Sequence, residues 1–550
     1  MFIKVTTSGK YQYVQVVESF RDKEGISRQK TIFNLGRLDQ IQNNPSFQNI
    51  ALKLLQLSKA KGVVQLDDIS EARIVKWGHV VYKKIWEVFG LQDLLPQITE
   101  DTKVSFDLNA ATFLMAVQHL LQPRSKLQTF QKQDEYLGLP EVSLNHLYRS
   151  LDLLSEHKTF LEEKLYEKNR SLFNMKVDVV FYDVTTFHFE SVKADSLRDF
   201  GYSKDAKFKE VQVVLGLLID CEGRPIGYDL FPGNTFEGHT LEKTLEKIKQ
   251  RFGIRNVIIV ADRGINSKLN LKRIKDKEYN YIVASRVKKM KKDIQEKMFD
   301  PEGYKTIKPK NNDDPESKIL YKTIEHINLV KDEDGNIYEI EENLVVTYSL
   351  KRAKKDKSDR ERLIEKAKRL LENKGQIKTT NKRGGKKFLK EIQEKSSDWI
   401  LDEEAIAKDE RFDGYYGIQT DKKEMKPEEV ISAYHNLWRI EESFKIMKST
   451  LEVRPVFHWT EPRIKGHFVV CFLAFLLERT LEFKLKENQE DASPEKIREA
   501  LNSISFSEFE VDGEAYFLKN KGPQLSNKIL RLFRIGAPKN IVRKEDFPSL

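Results

Sequence analysis

Residues 177–191 read VDVVFYDVTTFHFES, a run rich in β-branched and aromatic residues that is typical of a buried strand. Two more strand-like runs follow, VQVVLGLLID and PIGYDLFPG, and then a helical pattern, HTLEKTLEKIKQRF. The next apolar run, NVIIVAD, ends at Asp262, and NYIVASRV is a further expected strand. Three adjacent strands, a helix and more strands predict a mixed α/β sheet with a crossover connection.

Changes in composition divide the rest of the 550-residue chain, which is too long for one hydrophobic core. Residues 71–172 carry apolar residues at helical spacing, whereas residues 295–405 are rich in Lys and Glu. The apolar run FVVCFLAFLL, residues 468–477, is too short to span a bilayer, so we expect a buried core helix. We predict six segments: a strand-rich region (1–70), a helical module (71–172), the first part of the core (173–294), a β-rich insertion (295–405), the second part of the core (406–485) and a mostly helical tail (486–550).

The composition limits the possible classes of protein. With 95 basic and 85 acidic residues, the net charge of +10 is compatible with a polyanion such as nucleic acid. The two cysteines form no C-x-x-C pair, which excludes a zinc ribbon and favours a reducing, cytoplasmic setting. The start, MFIKVTTSGKYQ, has no continuous apolar region, so we expect no secretory signal. The histidines lack the H-E-x-x-H spacing of zinc enzymes, and we expect them to be structural.

Two aspartates occur where an acid is costly. Asp183 lies inside the apolar run VVFYDVTTF, and Asp262 directly ends VIIVAD. A carboxylate at a buried strand is unfavourable unless it is paired or binds a cation. Sites in α/β proteins are commonly assembled at strand ends. The alternative for either residue is a cap or turn role.

A third acid lies on the pattern PEEVISAYHNLWRIEESFKIMKSTL, which predicts one long helix. Tyr434, Glu441 and Lys448 are seven residues apart, so in a regular helix they share one stripe. Glu441 then lies at the margin of the buried face, although a solvated glutamate beside a lysine is the plainer alternative. The apolar arc comprises Leu437, Ile440, Phe444, Met447 and Leu451.

Together the three carboxylates suggest a metal-dependent site for phosphoryl transfer. Two Mg²⁺ ions, with Mn²⁺ as an alternative, require hard oxygen ligands that converge from different elements. Asp183, Asp262 and Glu441 meet this requirement without histidine or cysteine. In this interpretation Tyr434 and Lys448 hold a neighbouring DNA phosphate.

These motifs resemble the bacterial insertion-sequence DDE transposases with the Tyr-Arg-Glu-Lys signature, the IS-four type, in the branch with a long N-terminal region. The resemblance covers about residues 180–480 in family order, over half the chain, and YVQVVES and NLGRLD near the N-terminus also fit. The matching stretches are YDVTTFHFES, GYSKD, VQVVLGLLID, FPGNTFEGHTL, VADRGINS, NLVVTYSLKRAKKD, FDGYYGIQTD and YHNLWRIEESFKIMKSTLEVRPVFHWTEPRIKGHFVVCFLAFLLE.

The resemblance implies an RNase H-like core, a mixed five-stranded sheet with helices, that is interrupted by a β-rich insertion. Its catalytic and metal-binding acids fall on Asp183, Asp262 and Glu441. The signature Arg falls on Leu437, which is a departure from the family. Arg439 is nearby and is a candidate for DNA binding, but two residues correspond to about 200° around a helix, so it cannot simply replace that Arg.

The function that this family implies is DNA transposition. A homodimer binds the terminal inverted repeats, hydrolyses DNA at the ends with Mg²⁺ and joins the 3′-hydroxyls to target DNA, without membrane association. The family also implies that the helical module (71–172) takes part in DNA binding, with dimerisation or a purely structural role as the alternative. Two alternatives stay open: an RNase H-like nuclease without strand transfer, and a DNA-binding protein that no longer cuts.

Basic clusters supply further candidates for DNA contacts. RVKKMKK, residues 286–292, follows a predicted strand and contains Arg286 and Lys288, whereas LKRAKKDK and NKRGGKK lie in the expected insertion. These side chains are expected to contact DNA phosphates, and a solvated surface is the alternative.

Overall fold

The strand containing Asp183 lies in the middle of a large mixed sheet in the computed structural model. The structure describes residues 1–58, 71–173, 175, 178–201, 209–254, 257–307, 318–332, 334–372, 384–392, 398–454, 456–511 and 513–548. All but the first residue of GYSKD, and the first three of NKRGGKK, lie outside these ranges.

The strands are β1 (Phe2–Ser8), β2 (Tyr11–Arg21), β3 (Ser27–Arg37), β4 (Arg73–Lys76), β5 (Val179–His188), β6 (Gln212–Asp220), β7 (Pro225–Pro232), β8 (Ile258–Ala261), β9 (Asn280–Ala284), β10 (Lys305–Ile307), β11 (Ile319–Lys331), β12 (Ile337–Tyr348), β13 (Leu389–Ile392), β14 (Asp398–Leu401), β15 (Tyr415–Thr420), β16 (Ser505–Val511), β17 (Glu514–Lys519) and β18 (Ile541–Arg543).

The α-helices are α1 (Leu38–Gln42), α2 (Pro45–Ser58), α3 (His79–Val88), α4 (Leu91–Gln97), α5 (Leu108–Leu121), α6 (Lys126–Gln131), α7 (Leu144–Glu156), α8 (Lys158–Phe173), α9 (Glu237–Phe252), α10 (Lys268–Asp276), α11 (Lys292–Phe299), α12 (Leu350–Glu372), α13 (Glu403–Glu410), α14 (Pro427–His435), α15 (Trp438–Lys445), α16 (Glu461–Glu487), α17 (Pro494–Asn502) and α18 (Gln524–Leu532).

The chain separates into two units. One comprises residues 1–73, 507–518 and 540–547, and the other comprises residues 74–506, 519–539 and 548–550. In the region 1–70, where we expected strands, residues 38–58 form helices α1 and α2. Before them, in the first unit, β1, β2 and β3 form an antiparallel meander. Val14 and Val17 are its buried side chains among those described. This unit also contains β18, which pairs with β17, so the chain after residue 486 is not the mostly helical tail that we expected.

The second unit contains the main sheet, in the order β10-β11-β12-β15-β9-β8-β5-β6-β7. Strands β5, β6 and β7 are antiparallel neighbours, whereas β8 is parallel to β5 and β9 is parallel to β8. The five strands in the order β7-β6-β5-β8-β9 therefore form the mixed sheet predicted from the sequence. Counting only the residues described, the whole sheet has nine strands rather than five.

The four extra strands change the predicted boundary of the insertion. Strands β11 and β12 pair along their length, and β12 pairs with β15, which in turn pairs with β9. Strands β10, β11 and β12 thus belong to the main sheet and not to a separate insertion beginning at 295. Between β12 and β15 lie α12, α13 and the short pair β13–β14, which surround a small core that includes Ala367, Phe388 and Leu389.

Both faces of the central strands are covered by helices. Val180, Tyr182 and Val184 of β5 belong to a core cluster with residues of α9 and α10, such as Leu245 and Leu271. The opposite face carries Phe187, whose ring meets Phe468 of α16 edge to face at 5.3 Å between centroids. Strands that are buried on both faces are expected to be nearly continuously apolar, as β5 and β6 are.

Helix α16 is the central helix of the second unit. Its residues 466–481 are buried, as predicted for FVVCFLAFLL, and it packs against α3, α5, α7 and β7. Because it is apolar on all sides, it forms core rather than an amphipathic surface. Within the described residues, no helix combines the length and apolarity needed to cross a membrane.

Candidate active site

Asp183 and Asp262 are neighbours across two parallel strands. Phe181 of β5 pairs with Val260 of β8, and two further residues along each strand are Asp183 and Asp262. Adjacent strands lie about 4.8 Å apart, so the two aspartates occupy neighbouring positions at the C-terminal end of β8. The sheet thus brings together two acids that are far apart in the sequence.

Strand alternation places both aspartates on one face of the sheet. Tyr182 and Val184 belong to the core cluster with α9 and α10, so Asp183 lies on the opposite face with Phe187. Ala261 belongs to the same core cluster, so the alternation puts Asp262 on the opposite face as well. Helices α14, α15 and α16 cover that face: α14 contacts β8 and β9, α15 contacts β5, and α16 reaches Phe187.

The two aspartates differ in their surroundings. Asp183 is only 9% exposed, and its Oδ1 accepts a hydrogen bond of 2.7 Å from the Val184 amide. Asp262 is half-buried, and its Oδ1 accepts a 2.7 Å bond from the Gly264 amide, which closes the turn after β8. Asp262 therefore has the turn role that the sequence offered as an alternative, through its Oδ1. Its Oδ2 takes no part in that turn.

Glu441 lies at the margin of the buried face of α15. Leu437, Ile440 and Phe444 are buried, whereas Glu441 is exposed. The apolar arc expected from the sequence is therefore confirmed, including Met447 and Leu451. Because α15 contacts β5, Glu441 belongs to the layer that covers the face with the two aspartates.

The prediction of one long helix over this region is wrong in one respect, because the structure divides the region into separate helical segments. Helix α14 ends at His435, and a tight turn follows in which the Leu437 amide bonds the Tyr434 carbonyl. A π-helical turn then occupies Ile446–Thr450. Both turns change the rotation per residue, so Tyr434, Glu441 and Lys448 do not share the stripe of one regular helix.

Tyr434 nevertheless lies near the second aspartate. Its hydroxyl is 2.7 Å from the hydroxyl of Tyr416 on β15. Burial, then Tyr416, then the negative charge of Asp262 raise the pKa of Tyr434. Arg352 and Arg263 lie against the ring of Tyr416, with their guanidinium carbons 4.4 and 5.8 Å from its centroid.

Lys448 and Arg439 have different positions. The Lys448 amine is 5.8 Å from the ring centroid of Phe187, on the face that carries Asp183. Arg439 donates a 2.9 Å bond to the backbone carbonyl of Glu222, in the turn between β6 and β7. That turn lies beside the N-terminal end of β5, since Val180 pairs with Asp220, so Arg439 points away from the aspartates.

Arg286 and Lys288 line a cleft of about 610 Å³ beside the aspartates. Lys288 forms a 2.6 Å ion pair with Asp409, and Arg286 donates to the backbone carbonyl of Arg263. The basic side chains that line this cleft are Arg263, Arg286, Lys288, Lys289, Arg352, Arg360 and Lys387. Sequence reasoning missed Arg263, Arg352 and Tyr416 as site residues, although the position of Arg263 directly after Asp262 was a usable signal.

The donor set of this face fits a hard divalent cation. Aspartate and glutamate oxygens are the ligands that Mg²⁺ prefers, and the partly buried charge of Asp183 would be offset by such an ion. The three carboxylates are too far apart in this structure to share one ion. Within the described residues, the one group of three possible ligands whose ligand atoms all lie within 4.8 Å of one another is His119, His467 and Cys471.

Comparison with known proteins gives two family matches. Residues 175–477, more than half of the chain, match the family described as the transposase DDE domain. Residues 3–65 match the N-terminal domain of the IS1634 family of transposases. No curated protein matches the sequence significantly.

Two solved structures are among those similar to the chain. The piggyBac transposase synaptic complex with hairpin DNA is 9% identical, with a TM-score of 0.34 over 79% of this chain and 83% of that chain. The Mos1 transposase paired-end complex with the left transposon end is 10% identical, with a TM-score of 0.15 over 33% of this chain and 60% of that chain.

Proposed function

Because the chain belongs to the DDE transposases, with an N-terminal domain of the IS1634 family, we propose that it cuts the terminal inverted repeats of its own insertion sequence and joins the freed 3′-hydroxyls to target DNA. The observation that supports this most directly is the adjacent pair Asp183 and Asp262 at the end of β8, on the sheet face beneath the helix that carries Glu441.

DDE transposases use divalent metal ions. In our proposal Asp183, Asp262 and Glu441 hold two Mg²⁺ ions, with Mn²⁺ as a substitute. When bound, the ions activate the attacking oxygen and stabilise the leaving oxygen of the phosphodiester. The protein's own task is to fix two carboxylates on a rigid sheet and to supply the third from α15, which packs against β5.

Other residues orient the DNA strand. Lys448 lies over Phe187, on the face that carries Asp183, and is the candidate partner for the phosphate next to the cleavage point. Tyr434 and Tyr416 share a hydroxyl contact beside Asp262, and Arg263 and Arg352 flank Tyr416. Guanidinium groups bind phosphate bidentately, so these two arginines are suited to fix the strand that enters the site.

The narrower assignment to the branch with the Tyr-Arg-Glu-Lys signature rests on Tyr434, Glu441 and Lys448. The position of the signature Arg is occupied by Leu437, which is buried, at 7% exposure, and belongs to the apolar face of α15. Arg263 is the better candidate to take over its role than Arg439, because Arg263 is near Tyr434 whereas Arg439 bonds Glu222 at the other end of β5.

The partner in this proposal is DNA, bound by a homodimer that pairs the two ends of the element. The basic cleft around Arg286 and Lys288 is then a path for the DNA that flanks the cleavage point. Lys288 is partly neutralised by Asp409 and Arg352 by Asp356, so we expect Arg286, which bonds a backbone carbonyl, to contribute more to DNA affinity.

The test is cleavage and joining in vitro. The full-length protein is incubated with Mg²⁺, a labelled duplex that carries one end of the element with its flank, and a supercoiled target plasmid. The proposal predicts nicks at the repeat boundary with 3′-hydroxyls, followed by covalent joining to the plasmid. Nicking at the boundary without joining would favour a nuclease, and specific binding without nicking would favour a protein that no longer cuts.

A further inference from the structure

Three potential metal ligands meet in the core of the second unit, away from the three carboxylates. His119 comes from α5, and His467 and Cys471 come from α16, where they are four residues and so about one turn apart. All three side chains are buried. No zinc motif is visible in the sequence because the ligands come from two segments that are separated by more than 300 residues.

The distances within this group are close to those around a bound metal. Cys471 Sγ lies 3.9 Å from His119 Nε2, 4.0 Å from His467 Nδ1 and 3.6 Å from His467 Nε2. Around a tetrahedral zinc ion, with bonds of about 2.3 Å to sulfur and about 2.0 Å to nitrogen, the sulfur–nitrogen separation is about 3.6 Å. The separations of Sγ from His119 Nε2 and from His467 Nδ1 are therefore only a few tenths of an ångström longer than those around a bound zinc ion.

Each imidazole has one ring nitrogen beside a backbone carbonyl, as metal-binding histidines usually do. His119 Nδ1 is 2.9 Å from the carbonyl oxygen of Leu451, and His467 Nε2 is 3.1 Å from that of Val453. A ring nitrogen beside a carbonyl must carry the proton and donate it, so the other nitrogen of each ring keeps its lone pair. Those lone-pair nitrogens are His119 Nε2 and His467 Nδ1. The His467 ring has to turn to direct Nδ1 at an ion shared with Cys471, because its Nε2 is the nitrogen nearer to the sulfur. Metal-binding histidines characteristically donate their second nitrogen to a carbonyl or carboxylate.

Lys126 occupies the remaining side of the group. Its amine is 3.3 Å from His119 Nε2, and the side chain is 5% exposed. A buried ammonium beside a neutral imidazole and a thiol is an unusual arrangement, because buried cations are normally paired with a carboxylate. A divalent ion that displaces one proton from the thiol and one from the amine leaves the net charge of the buried group unchanged.

We propose that His119, His467 and Cys471 bind one structural zinc-type ion, with the amine of Lys126 in the fourth position. The ion fastens α5 and the start of α6 to α16, the central helix of the unit. It is distinct from the hard divalent ions at the carboxylates, because a thiolate and imidazoles select a softer transition metal.

The first test is the metal content of the full-length protein. After dialysis against metal-free buffer, elemental analysis is expected to find one zinc per chain, and cobalt substitution is expected to give a thiolate-to-cobalt charge-transfer band. Cys471→Ser should lose the band, whereas Cys221→Ser, which changes the other cysteine, should retain it. Asp183→Asn should retain it as well, which separates this site from the catalytic carboxylates.

Two results would overturn the proposal: no stoichiometric zinc or cobalt in the wild-type protein, or an unchanged band in Cys471→Ser. If Cys471→Ser does not fold, the wild-type protein still provides the test. A chelator should then lower its melting temperature, and Zn²⁺ but not Mg²⁺ should restore it. An unchanged melting temperature would count against the site. Lys126→Met should alter the cobalt d–d bands, and identical bands would remove Lys126 from the ligand set.

Discussion

Asp183 and Asp262 occupy neighbouring positions on two parallel strands, and both lie on the sheet face that α14, α15 and α16 cover. The pairing of Phe181 with Val260 fixes this relationship through backbone hydrogen bonds, so it does not depend on side-chain rotamers. The main sheet therefore holds the aspartate pair, whereas Glu441 is carried by α15, which packs against β5.

Glu441 and Glu442 form a matched pair for testing the third ligand. Glu441→Gln removes a carboxylate charge from the proposed metal site, and we expect strand cleavage to fall by about 10²–10³-fold with little change in DNA binding. Glu442 instead accepts a 3.2 Å bond from Arg479, so Glu442→Gln should leave cleavage within a few-fold of wild type. Rates measured under single-turnover conditions, with equal fractions of active protein, check this. Equal losses in both variants would contradict the assignment.

The surroundings of Leu437 are not expected to accommodate the arginine that the signature has at this position. Leu437→Arg would put a guanidinium into a side-chain environment that is 7% exposed, and we expect a loss of about 3 kcal/mol or more in the free energy of unfolding. Leu437→Met keeps volume and polarity and should cost less than about 1.5 kcal/mol. Chemical denaturation measures both. A stable Leu437→Arg variant with tighter DNA binding would show that the signature position still faces the phosphate.

Arg263 and Arg352 are predicted to contact DNA phosphates beside Tyr416. Replacing either with alanine should weaken the binding of specific and non-specific duplexes alike, and should reduce the slope of log K against log salt by about 1. Lys164, on α8 and paired with Glu167, is a suitable control, and Lys164→Ala should leave the slope unchanged. Fluorescence titrations at several salt concentrations give these slopes. If both arginine variants keep the wild-type slope, the cleft does not contact the DNA.

Glu478 should make the stability of the second unit depend on pH. Its side chain is buried on α16, accepts a 2.5 Å bond from the Tyr82 hydroxyl, and has no partner for Oε1 among the described residues. Burial, and then the neighbouring charge of Glu482, raise the pKa of Glu478 above its ordinary value of 4.5. The folded protein then holds a proton that the unfolded chain has lost, so stability should fall as the pH rises from about 4.5 through the raised value.

Glu478→Gln removes this titration, so the variant should show a flatter pH dependence and a higher melting temperature than wild type at alkaline pH. Glu487→Gln, an exposed change near the end of the same helix, should leave the dependence as it is. Melting temperatures from pH 5 to 9 provide the comparison. A wild-type protein that becomes more stable over this range would show that Glu478 is ionised in the folded state.

The core strands and the two aspartates could be predicted because the signals are local. The run around Asp183 is β-branched and apolar on both faces, and Asp262 directly follows the buried strand β8. A few neighbouring residues are therefore enough to predict the strand and its end. The buried arc of Leu437, Ile440 and Phe444 follows from spacing within two turns. These features depend on short-range periodicity.

The remaining features depend on contacts that are distant in the sequence. Strand β12 is rich in glutamate at its start and looks like a surface segment, and only its pairing with β15 makes it part of the main sheet. The turn after His435 lies between α14, which contacts β8 and β9, and α15, which contacts β5. No proline or glycine marks this turn in the sequence. The group of His119, His467 and Cys471 forms only when α5 packs on α16.

Substitution of Asp262 by cysteine, assayed with two metals, would test direct metal binding by the site. Asp262→Cys should not cleave a transposon-end duplex with Mg²⁺ and should regain cleavage with Mn²⁺, because Mn²⁺ accepts a thiolate ligand more readily than Mg²⁺. Asp262→Asn should stay inactive with either ion, although both variants should bind the duplex as wild type does. Cleavage by Asp262→Cys with Mg²⁺ at the wild-type rate would contradict a metal-binding role for Asp262 in this site.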